Sequence, residues 1–150
     1  MKLSKFCDEH LVTFNIKSKS KPDTIKELVQ LLGNSPMVKD PEQLLTDIME
    51  RENLVTTGVG YGVAFPHAKT KAVKGIVIGF GRSVSGLEFD AMDHKPVNLF
   101  FIIFAPEDAI GAHLNVMARL SYLMKSEENR QKLMTVTSPG DVLALMDYVD

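Results

Sequence analysis

The sequence contains one cysteine, no tryptophan and no long apolar run. A single cysteine cannot form an internal disulfide, so the expected compartment is the reducing cytoplasm. The longest apolar run extends only from Leu99 to Pro106, whereas a membrane helix needs about 20 apolar residues. No signal-peptide core follows the first residues, Met1 to Lys5. Direct insertion into a membrane is therefore not expected.

An excess of charge of one sign is also missing. The 17 Lys and Arg residues are balanced by 19 Asp and Glu residues, which gives a formal net charge of −2 at pH 7. Because general nucleic-acid binders are usually basic, nucleic acid is not expected as a partner. The apolar fraction of 45% is ordinary for a globular protein. Without repeats or a low-complexity linker, residues 1–150 are expected to form one domain.

Strand and helix patterns alternate along the chain. The run Val97–Phe104 is apolar at almost every position, which is typical of a central strand buried on both faces. Shorter strands are predicted over Leu11–Ile16 and Gly75–Phe80. The mixture predicts an α/β fold in which helices pack on a sheet.

Capping residues and helical spacing predict five helices. The first is predicted to begin after Ser20 and to end at Gly33, and the second to begin after Asp40 and to end near Arg51 to Asn53. The third extends over Ala112–Met124, the fourth extends from Ser126 to Met134, and the fifth begins at Ser138. The helix over Ala112–Met124 is predicted to direct four side chains inward, namely Leu114, Met117, Leu120 and Leu123.

A glycine cluster at positions 58, 60 and 62 precedes the dipeptide Pro66-His67. Its G-x-G-x-G spacing matches neither the dinucleotide fingerprint nor the phosphate-binding P-loop, and no helical run follows it. Nucleotide binding is therefore disfavoured. The spacing fits a tight loop that needs positive φ angles. Alternatively, the loop brings its backbone close to a group bound at His67.

Four histidines are present, and no pair has the H-x-x-x-H spacing of a zinc site. No metal and no other cofactor is predicted. His67 is the best candidate for chemistry, because it follows a glycine-rich loop where partners can reach it. Its imidazole is a good nucleophile near neutral pH, since the ordinary histidine pKa is about 6.5. From spacing alone, a structural role is the stronger alternative.

Two further residues lie at predicted helix ends. His113 is at the start of a helix, where unpaired N–H groups favour an anion such as phosphate. The alternative is an ordinary polar residue at a helix start. Arg51 ends the second helix, where a cation also complements the helix dipole without any further role.

Together these residues resemble the active-site segments of the fructose/mannitol-type enzyme IIA domains of the bacterial sugar phosphotransferase system. That family's pattern reads R-E, then T-G-[IV]-G-x-G-[IV]-A-[IF]-P-H. The matching segments here are Arg51-Glu52, T-G-V-G-Y-G-V-A-F-P-H over residues 57–67, A-P-E-D over residues 105–108, and G-A-H-L over residues 111–114. The resemblance extends from about Leu11 to Val149.

The resemblance implies a mixed central sheet flanked by helices and a phosphotransferase activity. His67 would accept a phosphoryl group from the phosphohistidine of HPr on Nε2 and pass it to a IIB component for sugar uptake. His113 is implied as the second active-site histidine and Arg51 as the active-site arginine. The Thr57 hydroxyl would donate a hydrogen bond to the phosphoryl oxygens.

Further expectations follow from this chemistry. If the family's Nε2 carries the phosphoryl group, a nearby acceptor should hold the Nδ1–H group of His67. Since two proteins must dock in turn, an apolar rim is expected, with Phe65 and Val59 as candidates. Lys69 keeps a positive charge that many relatives have, without an assigned role. His94 replaces a glycine of many relatives and is expected in a turn.

The resemblance leaves two branches open. One is the sugar-uptake phosphocarrier, and the other is the nitrogen-regulatory IIA protein, which reports its phosphorylation state by binding regulated proteins. A chain of 150 residues holds no fused IIB, IIC or HPr segment that would decide between them. A weaker alternative is an interaction domain without activity, since a fold does not determine a function.

Overall fold

The computed structural model describes residues 2–148, and Met1, Val149 and Asp150 lie outside the described residues. Within that range, helices cover both faces of a mixed sheet, as predicted. The strands are β1 (Val12–Thr13), β2 (Gly58–Gly60), β3 (Val63–Ala64), β4 (His67–Lys69), β5 (Val77–Leu87) and β6 (Val97–Ala105). The helices are α1 (Lys21–Leu32), α2 (Pro41–Leu54), α3 (Ile110–Lys125), α4 (Glu127–Thr135) and α5 (Pro139–Met146). Among these helices, none has the length and apolar character that crossing a bilayer requires.

Strand β6 lies at the centre of the sheet, which confirms the prediction made from its apolar run. The strand order is β1-β5-β6-β3-β2, and β4 pairs with β6 beyond β3. β6 is antiparallel to β5 and parallel to β3 and β4. Val63 pairs with Leu99, and His67 pairs with Ile103 further along β6. Because β2 pairs only with β3, the outer edge of β4 lies beside the ends of nearby helices instead of another strand.

Alternation along β6 explains why it is apolar on both faces. Phe100, Ile102 and Phe104 belong to the core beneath α1 and α2. Phe101 and Ile103 belong to the second core, beneath α3, α4 and α5. Both cores therefore depend on one strand, which explains the absence of polar residues over most of its length.

Three of the predicted helix starts are confirmed by a side-chain cap. The side chains of Ser20, Asp40 and Ser126 each accept a hydrogen bond from the backbone N–H three residues later. Two strands differ from the prediction in their limits. The first begins at Val12 instead of Leu11, because Asp8 caps a 3₁₀ turn over Glu9–Leu11, and it already ends at Thr13.

Strand β5 is longer than predicted. It begins at Val77 and continues to Leu87, because Leu87 still pairs with Val97 after a register shift. The predicted segment ended at Phe80, and most of the residues that follow, apart from Val84 and Leu87, are small or polar. Ladder pairing with β6, which a local pattern does not reveal, extends the strand.

The prediction that Leu114 points inward is wrong, since its side chain is 66% exposed. Helix α3 begins at Ile110, two residues earlier than predicted, and its buried residues include His113, Val116 and Leu120. These share one face through spacings of three and four residues. Position 114 is rotated by about 100° from His113, so it faces the open side of the helix start.

The glycine cluster forms a tight turn, as predicted. Gly60, Tyr61 and Gly62 have φ angles of 102°, 58° and 75°, so the chain reverses between β2 and β3 in the left-handed region. Gly58 serves close packing instead, because a Cβ there would lie 2.8 Å from the Cα of Ala91. This turn returns the chain to β6 and brings the next segment, Phe65 to His67, alongside it.

Candidate functional site

A cavity of about 720 Å³ lies between the end of α2, strand β4 and the start of α3. The two helices approach from opposite faces of the sheet and meet beside β4. The cavity is lined by Asp47, Glu50, Arg51, Leu54, His67, Ala68, Lys69, Ile110, His113, Leu114 and Met117. Arg51, His67 and His113, predicted as site residues, therefore converge on one cavity.

His67 is the first residue of β4 rather than the end of a loop, and it is half-buried. Ala68 packs into the core beneath α2, so His67 and Lys69 lie on the opposite side of the strand. The Nδ1 atom of His67 lies 2.8 Å from the carbonyl oxygen of Phe65. Because a carbonyl only accepts, Nδ1 carries the proton and Nε2 keeps its lone pair. Phe65 is thus the acceptor that the resemblance required.

His113 lies in the first turn of α3 and is only 6% exposed. Its ring meets that of His67 edge-on, at 5.6 Å between centroids and an interplanar angle of 70°. Its Nε2 atom is buried without a hydrogen-bond partner among the described residues, which is costly for a polar atom. In the part of the chain that the structure describes, no side chain caps the helix start at Ala109. This helix end therefore has unused capacity to bind an anion.

Arg51 lies in the last turn of α2 and contributes a fixed positive charge to the cavity. Its Nη1 atom donates to the carbonyl oxygen of Val55 at 3.3 Å. A guanidinium has five N–H donors, so this bond orients the group and leaves donors for an anion. Lys69 adds a second cation to the lining.

The pKa values of both histidines lie below the ordinary value of 6.5. Burial is the largest cause for His67; its bond to Phe65 opposes this shift, and the charge of Arg51 adds to it. For His113, burial is again the largest cause, followed by the charges of His67 and Lys69. Both rings are therefore neutral at pH 7, as a nucleophilic imidazole requires.

These shifts predict a measurable pH dependence. In an NMR titration of the folded protein, the rings of His67 and His113 are expected to titrate below pH 6.5. In urea, which unfolds the chain, the pKa of each ring is expected to return to about 6.5. The unfolded chain then binds more protons than the folded protein at mildly acidic pH. The free energy of unfolding is therefore expected to fall as the pH drops from 6.5 through the folded pKa values. Folded-state midpoints at or above 6.5 would contradict this description.

Thr57 does not join the other three predicted residues. Its side chain is only 5% exposed, and it does not line the cavity. Its hydroxyl donates to Oε1 of Glu52 at 2.7 Å, and its N–H group donates to Oε2 at 2.8 Å. The prediction that Thr57 donates to a bound group is therefore corrected, because Glu52 already uses both donors. Glu52 lies beside Arg51 in the motif, and no role was predicted for it from the sequence.

The predicted rim residues are also wrong. Phe65 is buried and stacks on Phe101 at 6.2 Å, and Val59 is exposed on β2 away from the cavity. Leu54, Ile110 and Leu114, which are 82%, 54% and 66% exposed, form the apolar rim instead. They lie at helix ends where periodicity does not separate the core from the rim. A large exposed apolar group at a cavity mouth is typical of a docking surface.

The remaining predictions concern His94 and a metal. His94 lies in a turn with a φ of 60°, outside the cavity lining, as expected. Within residues 2–148, no group of three or more His, Cys, Asp or Glu side chains is arranged to hold a metal ion. That the protein works without a metal stays a prediction.

Comparison with known proteins identifies the class to which this fold and cavity belong. The family described as phosphoenolpyruvate-dependent sugar phosphotransferase system, EIIA 2, matches residues 5–148. The chain therefore belongs to this family and is a phosphotransfer component of the enzyme IIA type. The resemblance stated from the sequence is confirmed.

Individual relatives come from both branches of the family. The fructose-specific EIIA component of Haloferax volcanii is 38% identical over 137 residues, which are 89% of this chain and 89% of that protein. The fructose-specific EIIABC component of Bacillus subtilis is 35% identical over all of this chain, which spans only 24% of that protein. The structure of the nitrogen regulatory protein IIA-Ntr from Neisseria meningitidis superposes with a TM-score of 0.89 at 32% identity, covering 96% of this chain and 98% of that one.

Proposed function

We propose that the protein is a phosphocarrier that accepts a phosphoryl group from phospho-HPr on Nε2 of His67 and passes it to a IIB component for sugar uptake. The observation that carries this proposal is the state of His67. The Phe65 carbonyl holds its Nδ1–H group, and its ring lies beside His113 in an open cavity that also contains Arg51.

The step is a transfer between two imidazoles. The lone pair on Nε2 of His67 attacks phosphorus as the bond from phosphorus to the imidazole nitrogen of HPr breaks, and that nitrogen keeps the electron pair. Enzymes stabilise such a transfer mainly by positioning and by donors aimed at the phosphoryl oxygens. Arg51 supplies charge, the buried ring of His113 supplies a hydrogen bond, and the uncapped start of α3 supplies N–H groups. Delivery follows when a nucleophile of the IIB component attacks phosphorus and the bond from phosphorus to Nε2 of His67 breaks, so that Nε2 keeps the electron pair.

The cavity mouth supports docking by two proteins in turn. Its rim joins the exposed apolar side chains of Leu54, Ile110 and Leu114 to the acidic groups of Asp47 and Glu50. An apolar centre with a charged border is the usual composition of a transient protein interface. An HPr-like donor and a IIB acceptor would share this one surface.

Regulation is the second candidate function. It is favoured by the similarity to the nitrogen regulatory protein, at a TM-score of 0.89 and 32% identity. The fructose-specific relatives at 38% and 35% identity favour uptake instead. In the regulatory case, His67 would be phosphorylated in the same way, but a regulated protein would then bind at the rim around the phosphorylated histidine.

One reconstitution experiment tests the proposal. Incubation with phosphoenolpyruvate, enzyme I and HPr is expected to phosphorylate the protein on a histidine, so that the label is lost in acid and retained in alkali. Acid protonates the ring nitrogen and makes it a good leaving group. Subsequent addition of a fructose-type IIB is expected to remove the label. Label that stays on the protein in the presence of IIB would favour regulation, and no label from any HPr-like donor would refute the phosphocarrier proposal.

A further inference from the structure

Four hydrogen bonds connect the buried carboxylate of Glu52 to the imidazole of His67. Glu52 accepts the hydroxyl and the N–H group of Thr57, at 2.7 Å and 2.8 Å. The carbonyl oxygen of Thr57 accepts the N–H group of Phe65 at 3.0 Å. The carbonyl oxygen of Phe65 accepts Nδ1–H of His67 at 2.8 Å. The chain of contacts thus leads from α2 through the start of β2 to the ring that would carry the phosphoryl group.

Glu52 itself is held in one position. It is only 5% exposed, and its Oε2 atom lies 3.0 Å from the Nζ atom of Lys21. That ammonium group also lies over the ring of Phe89, 4.8 Å from its centroid. A buried carboxylate needs such a partner, because an unpaired charge in the interior is strongly unfavourable. With both oxygens bound, Glu52 has little freedom to move, and neither has Thr57.

We propose that Glu52 is a positioning residue for His67, acting through Thr57 and Phe65. This inference rests on the proposed phosphocarrier function. Glu52 anchors the segment whose Phe65 carbonyl selects the Nδ1–H tautomer and so directs the lone pair of Nε2 into the cavity. It also follows Arg51 directly in the last turn of α2, so the same anchor secures the helix end that carries the guanidinium.

This role explains why a threonine lies in the motif although it does not reach the cavity. A hydroxyl that donates to a phosphoryl oxygen has to line the cavity, and Thr57 does not. Its hydroxyl and N–H group point to the two oxygens of one carboxylate, which a threonine or serine does well and an alanine does not. The negative charge of Glu52 also opposes the lowering of the His67 pKa by burial, which is a second, electrostatic link between the two residues.

The test compares Glu52→Ala with Glu52→Gln. The glutamine keeps the shape of the side chain and can still accept the N–H group of Thr57, so the Glu52→Gln protein is expected to stay within about fivefold of the wild-type phosphorylation rate. The Glu52→Ala protein is expected to be phosphorylated about 10–100-fold more slowly, by analogy with the loss of residues that orient metal-binding histidines. In ¹⁵N NMR spectra of the folded Glu52→Ala protein, His67 is expected to show a mixture of tautomers instead of Nδ1–H alone. Glu42→Gln, an exposed change in the first turn of the same helix, is the matched control and should match the wild type in both measurements.

Thr57→Val provides a second route if Glu52→Ala fails to fold. It removes one of the two contacts with Glu52, and it is expected to slow phosphorylation by about 3–10-fold, which is less than the effect expected for Glu52→Ala. The tautomer of His67 is expected to change in part. A loss of about 10²–10³ with an unchanged tautomer would mean that the hydroxyl donates to the phosphoryl group, and would overturn the inference. So would a folded Glu52→Ala protein with wild-type rate and tautomer. A wild-type protein that takes no phosphoryl group refutes the proposed function instead, so the two failures are distinguishable.

Discussion

Replacing His67 with alanine is expected to abolish phosphorylation by phosphoenolpyruvate, enzyme I and HPr. His67 is the group in the cavity whose tautomer leaves a lone pair on an accessible ring nitrogen. The neighbouring ring of His113 is not expected to replace it as the nucleophile, because that ring is only 6% exposed and its Nε2 atom is buried. Without the nucleophile there is no covalent step. Transfer of ³²P from labelled phosphoenolpyruvate, measured after gel separation, gives the readout.

The matched control for this experiment is His10→Ala. His10 is exposed in the 3₁₀ turn before β1 and is outside the cavity lining, so its replacement should leave labelling at the wild-type level. If the His67→Ala protein is labelled as well as the wild type, another residue is the nucleophile and our assignment is wrong. The unfolding curve of His67→Ala should resemble that of the wild type, since the ring is only half-buried.

Replacing His113 with alanine is expected to slow phosphorylation without abolishing it. His113 would donate a hydrogen bond to the phosphoryl oxygens, and loss of one such donor typically costs on the order of 10²–10³ in rate. Its ring lies 5.6 Å from that of His67, which leaves room for a phosphoryl group to contact both after small adjustments. Rapid-quench measurement of a single transfer from phospho-HPr separates the rate from the final extent of labelling.

Two further results would qualify the His113 experiment. His113→Gln is expected to recover part of the rate, because its side-chain amide also donates an N–H bond from the same helix turn. Labelling of His113→Ala at the full wild-type rate would show that the first turn of α3 stabilises the phosphoryl group without this ring. Complete loss of labelling would instead show that transfer to His67 requires His113, which is a larger effect than the loss of one donor explains.

The central strand was predictable because local and tertiary requirements agree there, whereas the short strands β2, β3 and β4 lie in a segment that was predicted as a loop. The run Val97–Phe104 has no polar residue except Asn98, and a strand without a polar face is stable only where both faces are covered. Its central position follows from that requirement alone. The limits of β5 and β1 were not predictable, since partner strands and a competing 3₁₀ turn decide where pairing stops.

The site was predictable to the extent that its residues occur in a contiguous pattern. Arg51 and His67 belong to one segment that resembles the family's motif, and His113 belongs to a second. Thr57 belongs to the first segment too, yet its side chain points into the interior rather than into the cavity. A motif records which residues occur together and not the direction of each side chain.

By itself, the sequence determined the family, the five helices, the central strand and the three residues that meet at the cavity. These depend on hydrophobic periodicity, on capping residues and on a motif, which are all local along the chain. Only the tertiary structure decided the tautomer of His67, the burial of His113, the exposure of Leu114 and the contact of Glu52 with Thr57. Each of these depends on which atoms from distant segments come within a few ångströms. Burial and hydrogen bonding, and with them the pKa of each histidine, are consequences of that packing.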